Sequence, residues 1–135
     1  MDELIERARE AAERAYVPYS EYAVGAALGT ADGAVYAGCN VENANYSNSI
    51  HAEEMALGEA VRDGHRAFRR LAVVSAAEDG PTPCGACRQT LREFCDADLA
   101  VVCPGPEGVR EYRLGDLLPA AMSGETLADA RADRE

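Results

Sequence analysis

His51-Ala52-Glu53 and Pro83-Cys84-Gly85-Ala86-Cys87 lie on either side of an unbroken apolar run, Leu71-Ala72-Val73-Val74-Ser75. The run has strand length and no polar alternation, the pattern of a strand buried on both faces, as in parallel sheets. Helical patterns flank it. Residues 50–63 carry Met55, Ala56, Ala60 and Val61, with Gly64 as the stop, and a second helix is predicted from Cys84 to about Phe94. Both short motifs then fall at helix N-termini, where the helix dipole and free N–H groups favour thiolate over thiol. One imidazole (His51) and two thiols (Cys84, Cys87) are ligands a zinc ion prefers, and three protein ligands leave the fourth tetrahedral position open to water. Glu53, two residues after His51, is a carboxylate placed to carry protons to and from that water.

Working outward, residues 2–15 read as an amphipathic helix with Leu4, Ile5, Ala8, Ala11, Ala12 and Ala15 at helical spacing, ended by Pro18. Residues 22–30 and 34–39 are strand-length apolar runs joined by Ala31-Asp32-Gly33, a hairpin signal. An Asn- and Ser-rich loop covers 40–49. After the second site helix, 98–103 reads as a strand, 104–108 as a turn and 109–114 as an edge strand. Residues 115–118 and 124–132 read as helical, and 128–135 as a fraying end. The order α-β-β-α-β-α-β-β-α implies helices on both faces of a mixed sheet in one domain, 1–135.

Charge narrows the function. Thirteen basic residues, all Arg, face 24 Asp and Glu, for a net charge of −11. Such a surface repels phosphate backbones, so nucleic acid is not the expected substrate. Its self-repulsion is relieved by salt, which points to a high-salt cytoplasm. No apolar run approaches the ~20 residues of a membrane span, and the acidic Met1-Asp2-Glu3 start is not a signal peptide; a cytoplasmic enzyme without membrane contact is expected. Five cysteines without secretory context argue against a disulfide framework; Cys39, Cys95 and Cys103 read as small buried hydrophobes. His65, Glu54 and the Arg66–Arg70 cluster read as solvated positions, and Gly25 and Gly38 as close-packing ones.

The pattern H-x-E…P-C-x-x-C is the signature of zinc nucleobase deaminases, in which the Glu is general acid/base and not a ligand. Further stretches extend the likeness: Tyr19-Ser20-Glu21-Tyr22-Ala23-Val24-Gly25-Ala26-Ala27-Leu28, Gly38-Cys39-Asn40-Val41-Glu42-Asn43-Ala44, Pro83 to Gln89, and Asp116-Leu117-Leu118-Pro119. Over about residues 5–127 the chain resembles the cytidine deaminases, free-nucleoside enzymes of pyrimidine salvage. The resemblance implies a three-layer α/β/α sandwich with a mixed sheet of about five strands. It also implies one Zn2+ per chain on His51, Cys84 and Cys87, with Glu53 catalytic. Asn40 and Glu42 are then expected at the ribose, with Tyr22 (where the family usually has Phe), Ala52 and Tyr46 as further substrate contacts. Short members of the family are homotetramers with active sites shared across subunit interfaces, and Tyr46 is expected to reach a neighbour's site. Those members usually have Cys where this chain has His51, Arg where it has Glu54, and Phe where it has Met122.

With that resemblance, three functions stay open. The first is hydrolysis of cytidine and deoxycytidine. The second is the same chemistry on another small aminopyrimidine nucleoside, such as a nucleoside antibiotic. The third is a silent zinc-stabilised scaffold, which has no use for Glu53 and prefers a fourth ligand.

Overall fold

The computed structural model describes residues 2–132. Its core is one five-stranded sheet in the order β2-β1-β3-β4-β5. The strands are β1 (Val24–Thr30), β2 (Val35–Cys39), β3 (Phe68–Ser75), β4 (Ala100–Gly105) and β5 (Gly108–Arg113). β1 pairs antiparallel with both β2 and β3, β3 runs parallel to β4, and β4 pairs antiparallel with β5. The sheet is therefore mixed, as expected.

Period-two side-chain alternation divides the core between the two faces. Ala27, Ala72, Val74 and Val102 pack with Leu4, Ile5, Ala8 and Ala12 of α1 (Glu3–Ala12). Ala26, Leu28, Leu71, Val73, Val101 and Cys103 point the other way. They pack with Ala52, Ala56 and Leu57 of α2 (Ala52–Arg62) and Leu91 of α3 (Gly85–Phe94). One helix on one face and two on the other make the three layers. Leu114 of α4 (Leu114–Leu117) closes the second layer, and α5 (Gly124–Ala132) follows. The expected fraying over 128–135 overlaps α5; residues 133–135 lie outside the described residues. No helix among the described residues is long and apolar enough to cross a membrane.

Helix and sheet approach closely at two glycines. A Cβ on Gly25 would lie 1.9 Å from the Ala8 carbonyl oxygen, and one on Gly38 would lie 2.5 Å from that of Ala52. The first sets α1 on β1. The second seats the start of α2, and with it the His-x-Glu motif, on β2.

Several elements differ from the sequence reading. α1 stops at Ala12 well before Pro18, because Arg14 and Ala15 bond back only three residues and Tyr16 leaves to bridge Val41. β3 starts at Phe68 rather than Leu71, its charged Arg69 and Arg70 having masked a start that pairs across an irregularity at Gly29/Thr30. β4 continues through Pro104 to Gly105, leaving a tighter turn than 104–108. Cys95 and Cys103 are buried, but Cys39 is only partly so. His65 is half-covered by Tyr36, with ring centroids 5.3 Å apart, and Arg70 is not merely solvated but paired with Asp2 at 2.6 Å.

Candidate active site

β2 ends at Cys39, and residues 40–51 return the chain to the sheet end through a bridge from Val41 to Ile50. His51 is the residue immediately before α2, in extended conformation. Its backbone N–H donates to Glu54 Oε1 at 2.6 Å, so Glu54 closes the first turn around His51 and is not simply a wet position. Cys84 stands in the same place before α3. The two helix starts meet.

His51 Nδ1 lies 3.2 Å from Cys87 Sγ and 3.3 Å from Cys84 Sγ. All three ligand atoms lie within 4.8 Å of one another. Zinc bonds of about 2.0–2.1 Å to nitrogen and 2.3 Å to sulfur, set tetrahedrally, span about 3.5 Å from N to S. The spacing and the donor set fit a zinc ion. Among the described residues no fourth His, Cys, Asp or Glu joins this group.

Burial pushes the Cys87 thiol well above its ordinary value, and the charge of Glu53 adds to that. Burial and the helix N-terminus thus act on the thiol in opposite directions. A bound cation would favour the thiolate, since metal binding to thiols releases their protons.

Glu53 is 6% exposed, a buried carboxylate in the first turn of α2. Burial raises its pKa, opposed by its own backbone N–H, the neighbouring His51 and the Cys87 thiol. A carboxylate held up in this way can hold and release a proton closer to neutral pH than a surface Glu. It faces a cavity of about 210 Å³ whose lining includes His51, Ala52, Glu53, Cys84, Tyr22 and Asn40. Ala52 is fully buried and contributes only wall and backbone.

A second cavity of about 380 Å³ adjoins it, sharing Asn40 and His51 and lined also by Glu42, Tyr19, Tyr46 and Ile50. The structure thus brings Asn40, Glu42, Tyr22, Ala52 and Tyr46 together around the donor cluster. Asn40 Oδ1 accepts from the Val24 N–H at 2.9 Å while its Nδ2 donates to the Tyr22 carbonyl at 2.9 Å. Glu42 Oε1 accepts from the backbone N–H groups of Tyr19 and Ser20 at 3.0 and 3.1 Å. The Ser20 hydroxyl and these backbone groups hold the Glu42 carboxyl below its ordinary range, so it is anionic at neutral pH. Each residue spends part of its hydrogen-bonding capacity on shaping the cleft. Tyr46 is 73% exposed and meets Tyr19 edge-on at 6.0 Å, on the rim of its own chain's cleft.

Arg88, next to Cys87, was missed as a structural residue. Its guanidinium donates to the Pro83 carbonyl at 2.6 Å, the Leu117 carbonyl at 2.7 Å and Thr82 Oγ1 at 3.0 Å. Five donors in a fixed fork suit this clamping of the chain just before Cys84.

Residues 1–103 match the family described as the cytidine and deoxycytidylate deaminase zinc-binding region. The chain is similar to the cytidine deaminase of Sporosarcina psychrophila, 46% identical over 131 residues and covering 96% of each chain. It is similar to that of Halalkalibacterium halodurans, 43% identical over 127 residues, covering 93% of this chain and 96% of the other. The crystal structure of cytidine deaminase from Burkholderia pseudomallei superposes with a TM-score of 0.84 at 46% identity, covering 90% of this chain and 100% of that one.

Proposed function

The chain belongs to the cytidine and deoxycytidylate deaminase family, and from that premise we propose how it hydrolyses cytidine and deoxycytidine to the uridine nucleosides and ammonia. His51, Cys84 and Cys87 would hold the zinc. A zinc ion bound there supplies Lewis acidity, drawing the pKa of an attacking water towards neutrality. Glu53 takes a proton from that water and passes it to N3 of the base as oxygen attacks C4. It then carries the second proton to the exocyclic nitrogen, which leaves as ammonia when the C4–N bond breaks. One water is consumed and one ammonia released. The backbone of Ala52 and the ring of Tyr22 bound the base, and Asn40 and Glu42 present an amide and a carboxylate to sugar hydroxyls.

The observation that carries this reading is the buried Glu53 carboxylate beside a three-donor metal cluster. A structural zinc site has no need of it, and burying it without a task is costly. The test is the ultraviolet absorbance change of cytidine with purified protein, repeated with deoxycytidine and with modified aminopyrimidine nucleosides. Turnover of the first two at comparable kcat/KM supports the reading; turnover of only a modified nucleoside replaces the substrate.

The rim of the larger cavity is apolar and exposed: Tyr46 is 73%, Tyr19 50% and Ile50 43% accessible. Contiguous exposed apolar side chains are what a subunit interface covers. They support a homotetramer whose interfaces run past the sites, with Tyr46 reaching a neighbour. A net charge of −11 with no Lys supports work in a salty cytoplasm, and the family resemblance supports a place in pyrimidine salvage.

A further inference from the structure

Tyr22 and Asp79 are 57 residues apart in the chain, and the Tyr22 hydroxyl donates to Asp79 Oδ1 at 2.8 Å. The same carboxylate oxygen accepts from the Ser75 hydroxyl at 2.5 Å. Ser75 is 2% exposed, the buried last residue of β3. Its hydroxyl also receives the Asp79 N–H, at 3.4 Å. Asp79 sits in the loop between β3 and Cys84, and Glu78 beside it is paired with Arg9 of α1 at 2.7 Å.

The backbone on both sides of this contact is strained. Glu21, immediately before Tyr22, has φ 57°, and Glu78, immediately before Asp79, has φ 50°. Left-handed conformations of non-glycine residues persist only where the surroundings over-determine them, and they cluster at functional sites. Here the over-determination is visible. The Tyr22 N–H donates to Ser20 Oγ at 3.0 Å, its carbonyl accepts from Asn40, and its hydroxyl is fixed by Asp79. A ring that is 37% exposed is thereby anchored at both ends. Tyr22 lines the same cavity as Glu53, and so do Pro81 and Thr82 of the loop that Asp79 anchors.

We propose that Asp79 is a positioning residue of this site: through the Tyr22 and Ser75 hydroxyls it holds Tyr22 and the loop before Cys84 as one pocket wall, and so sets how tightly the base is held. The proposal rests on the deaminase reading above. Asp79 touches neither the metal donors nor the proton path, so its effect falls on KM rather than on kcat.

Both donors go to one oxygen, which separates geometry from charge. Asn at position 79 keeps an Oδ1 that can accept from both hydroxyls, whereas Ala keeps none. Steady-state kinetics with cytidine on the zinc-loaded protein are expected to give Asp79→Ala a KM about tenfold higher, with kcat within threefold and zinc still stoichiometric. Asp79→Asn stays within threefold of the parent in KM. Tyr22→Phe keeps the ring, loses the hydroxyl and raises KM, and combining it with Asp79→Ala adds nothing further. Amide hydrogen exchange over 76–83 speeds up in Asp79→Ala but not in Asp79→Asn. A KM within twofold of the parent for both Asp79→Ala and Tyr22→Phe overturns the proposal, as does an Asn variant as impaired as Ala. A parent inert on cytidine overturns the deaminase reading instead. The exchange arm then decides alone: faster exchange over 76–83 in Asp79→Ala and Tyr22→Phe supports the positioning role of Asp79, and unchanged protection overturns it.

Discussion

Glu54 Oε1 accepts the backbone N–H of His51 at 2.6 Å, tying the residue proposed as the imidazole ligand to the first turn of the helix that carries Glu53. Glu54→Ala is expected to cost about 1 kcal/mol of stability, the size of a lost helix-start contact, while Glu54→Gln loses less because its amide oxygen still accepts. Thermal melts of the zinc-loaded proteins check this. Equal Tm values for all three show the contact to be idle.

The same residue bears on the donor set. Zinc with three thiolates carries a net negative charge, whereas one imidazole and two thiolates leave it neutral; with His51 as the proposed ligand, a Glu at position 54 is expected to be tolerated. His51→Cys should lower turnover, and adding Glu54→Arg should restore part of it, with a coupling of order 1 kcal/mol or more. Arg cannot accept the N–H of residue 51, but that loss is common to both backgrounds and cancels in the cycle. Arg88 keeps its charge, because its partners Pro83, Leu117 and Thr82 are all neutral, but it is the same in all four proteins and so enters the cycle as a constant. A Glu54→Arg effect identical with His or Cys at position 51 removes the coupling.

Gly38 and Gly25 offer a controlled pair. A Cβ at Gly38 meets the Ala52 carbonyl oxygen at 2.5 Å and the Ala56 nitrogen at 2.8 Å, so α2 must shift and take His51 and Glu53 with it. A Cβ at Gly25 meets α1 instead, at 1.9 Å from the Ala8 carbonyl oxygen. Both Gly→Ala variants should lose about 1–3 kcal/mol or more by overpacking against backbone. Only Gly38→Ala should also lose specific activity when assayed well below its Tm. Equal activity losses would show that α2 placement is not what the site depends on.

These cases show what sequence could and could not reveal. The donor cluster was legible because metal chemistry restricts ligand types and helix starts restrict their spacing. The three layers were legible because Leu71 to Ser75 is apolar on both faces and α1 is apolar on one. Glu54 was missed because the N-terminal cap pattern is sought after Ser or Thr, and here His51 stands in that place. Tyr22 and Asp79 meet only after the β1–β3 pairing forms, and neither residue carries a local pattern that announces the other. The start of β3 was hidden because Arg70 reads as surface until Asp2 is found beside it.

Asp2 caps α1 through the Leu4 N–H at 3.0 Å and pairs with Arg70 at 2.6 Å. Burial opposes ionisation, but the Arg70 hydrogen bond and charge and the backbone N–H groups outweigh it, holding the carboxyl below its ordinary value. A depressed pKa contributes stability that is present above the unfolded value, near 4, and is lost as pH falls through the folded value. Asp2→Asn keeps a cap and loses the charge, so it should cost on the order of 0.5–1 kcal/mol at pH 7 and progressively less below pH 4. Denaturant titrations at pH 7 and pH 3 measure it; a penalty that does not shrink with acid is not electrostatic.

Salt should govern assembly. With −11 per chain, association gathers like charge, and the screening length falls from ~10 Å at 0.1 M to ~3 Å at 1 M salt. Light scattering is expected to show tetramers in molar salt and smaller, less active species in dilute buffer. An active, unchanged tetramer in dilute buffer rules the salt dependence out.

The role proposed for Glu53 is to move protons without holding the metal. Glu53→Ala, analysed for bound zinc and for cytidine turnover in the same preparation, separates the two roles. One zinc per chain, an intact fold and turnover lower by about 10²–10⁴ are expected. A variant that has lost its zinc, or one that turns over within tenfold of the parent, would contradict that role.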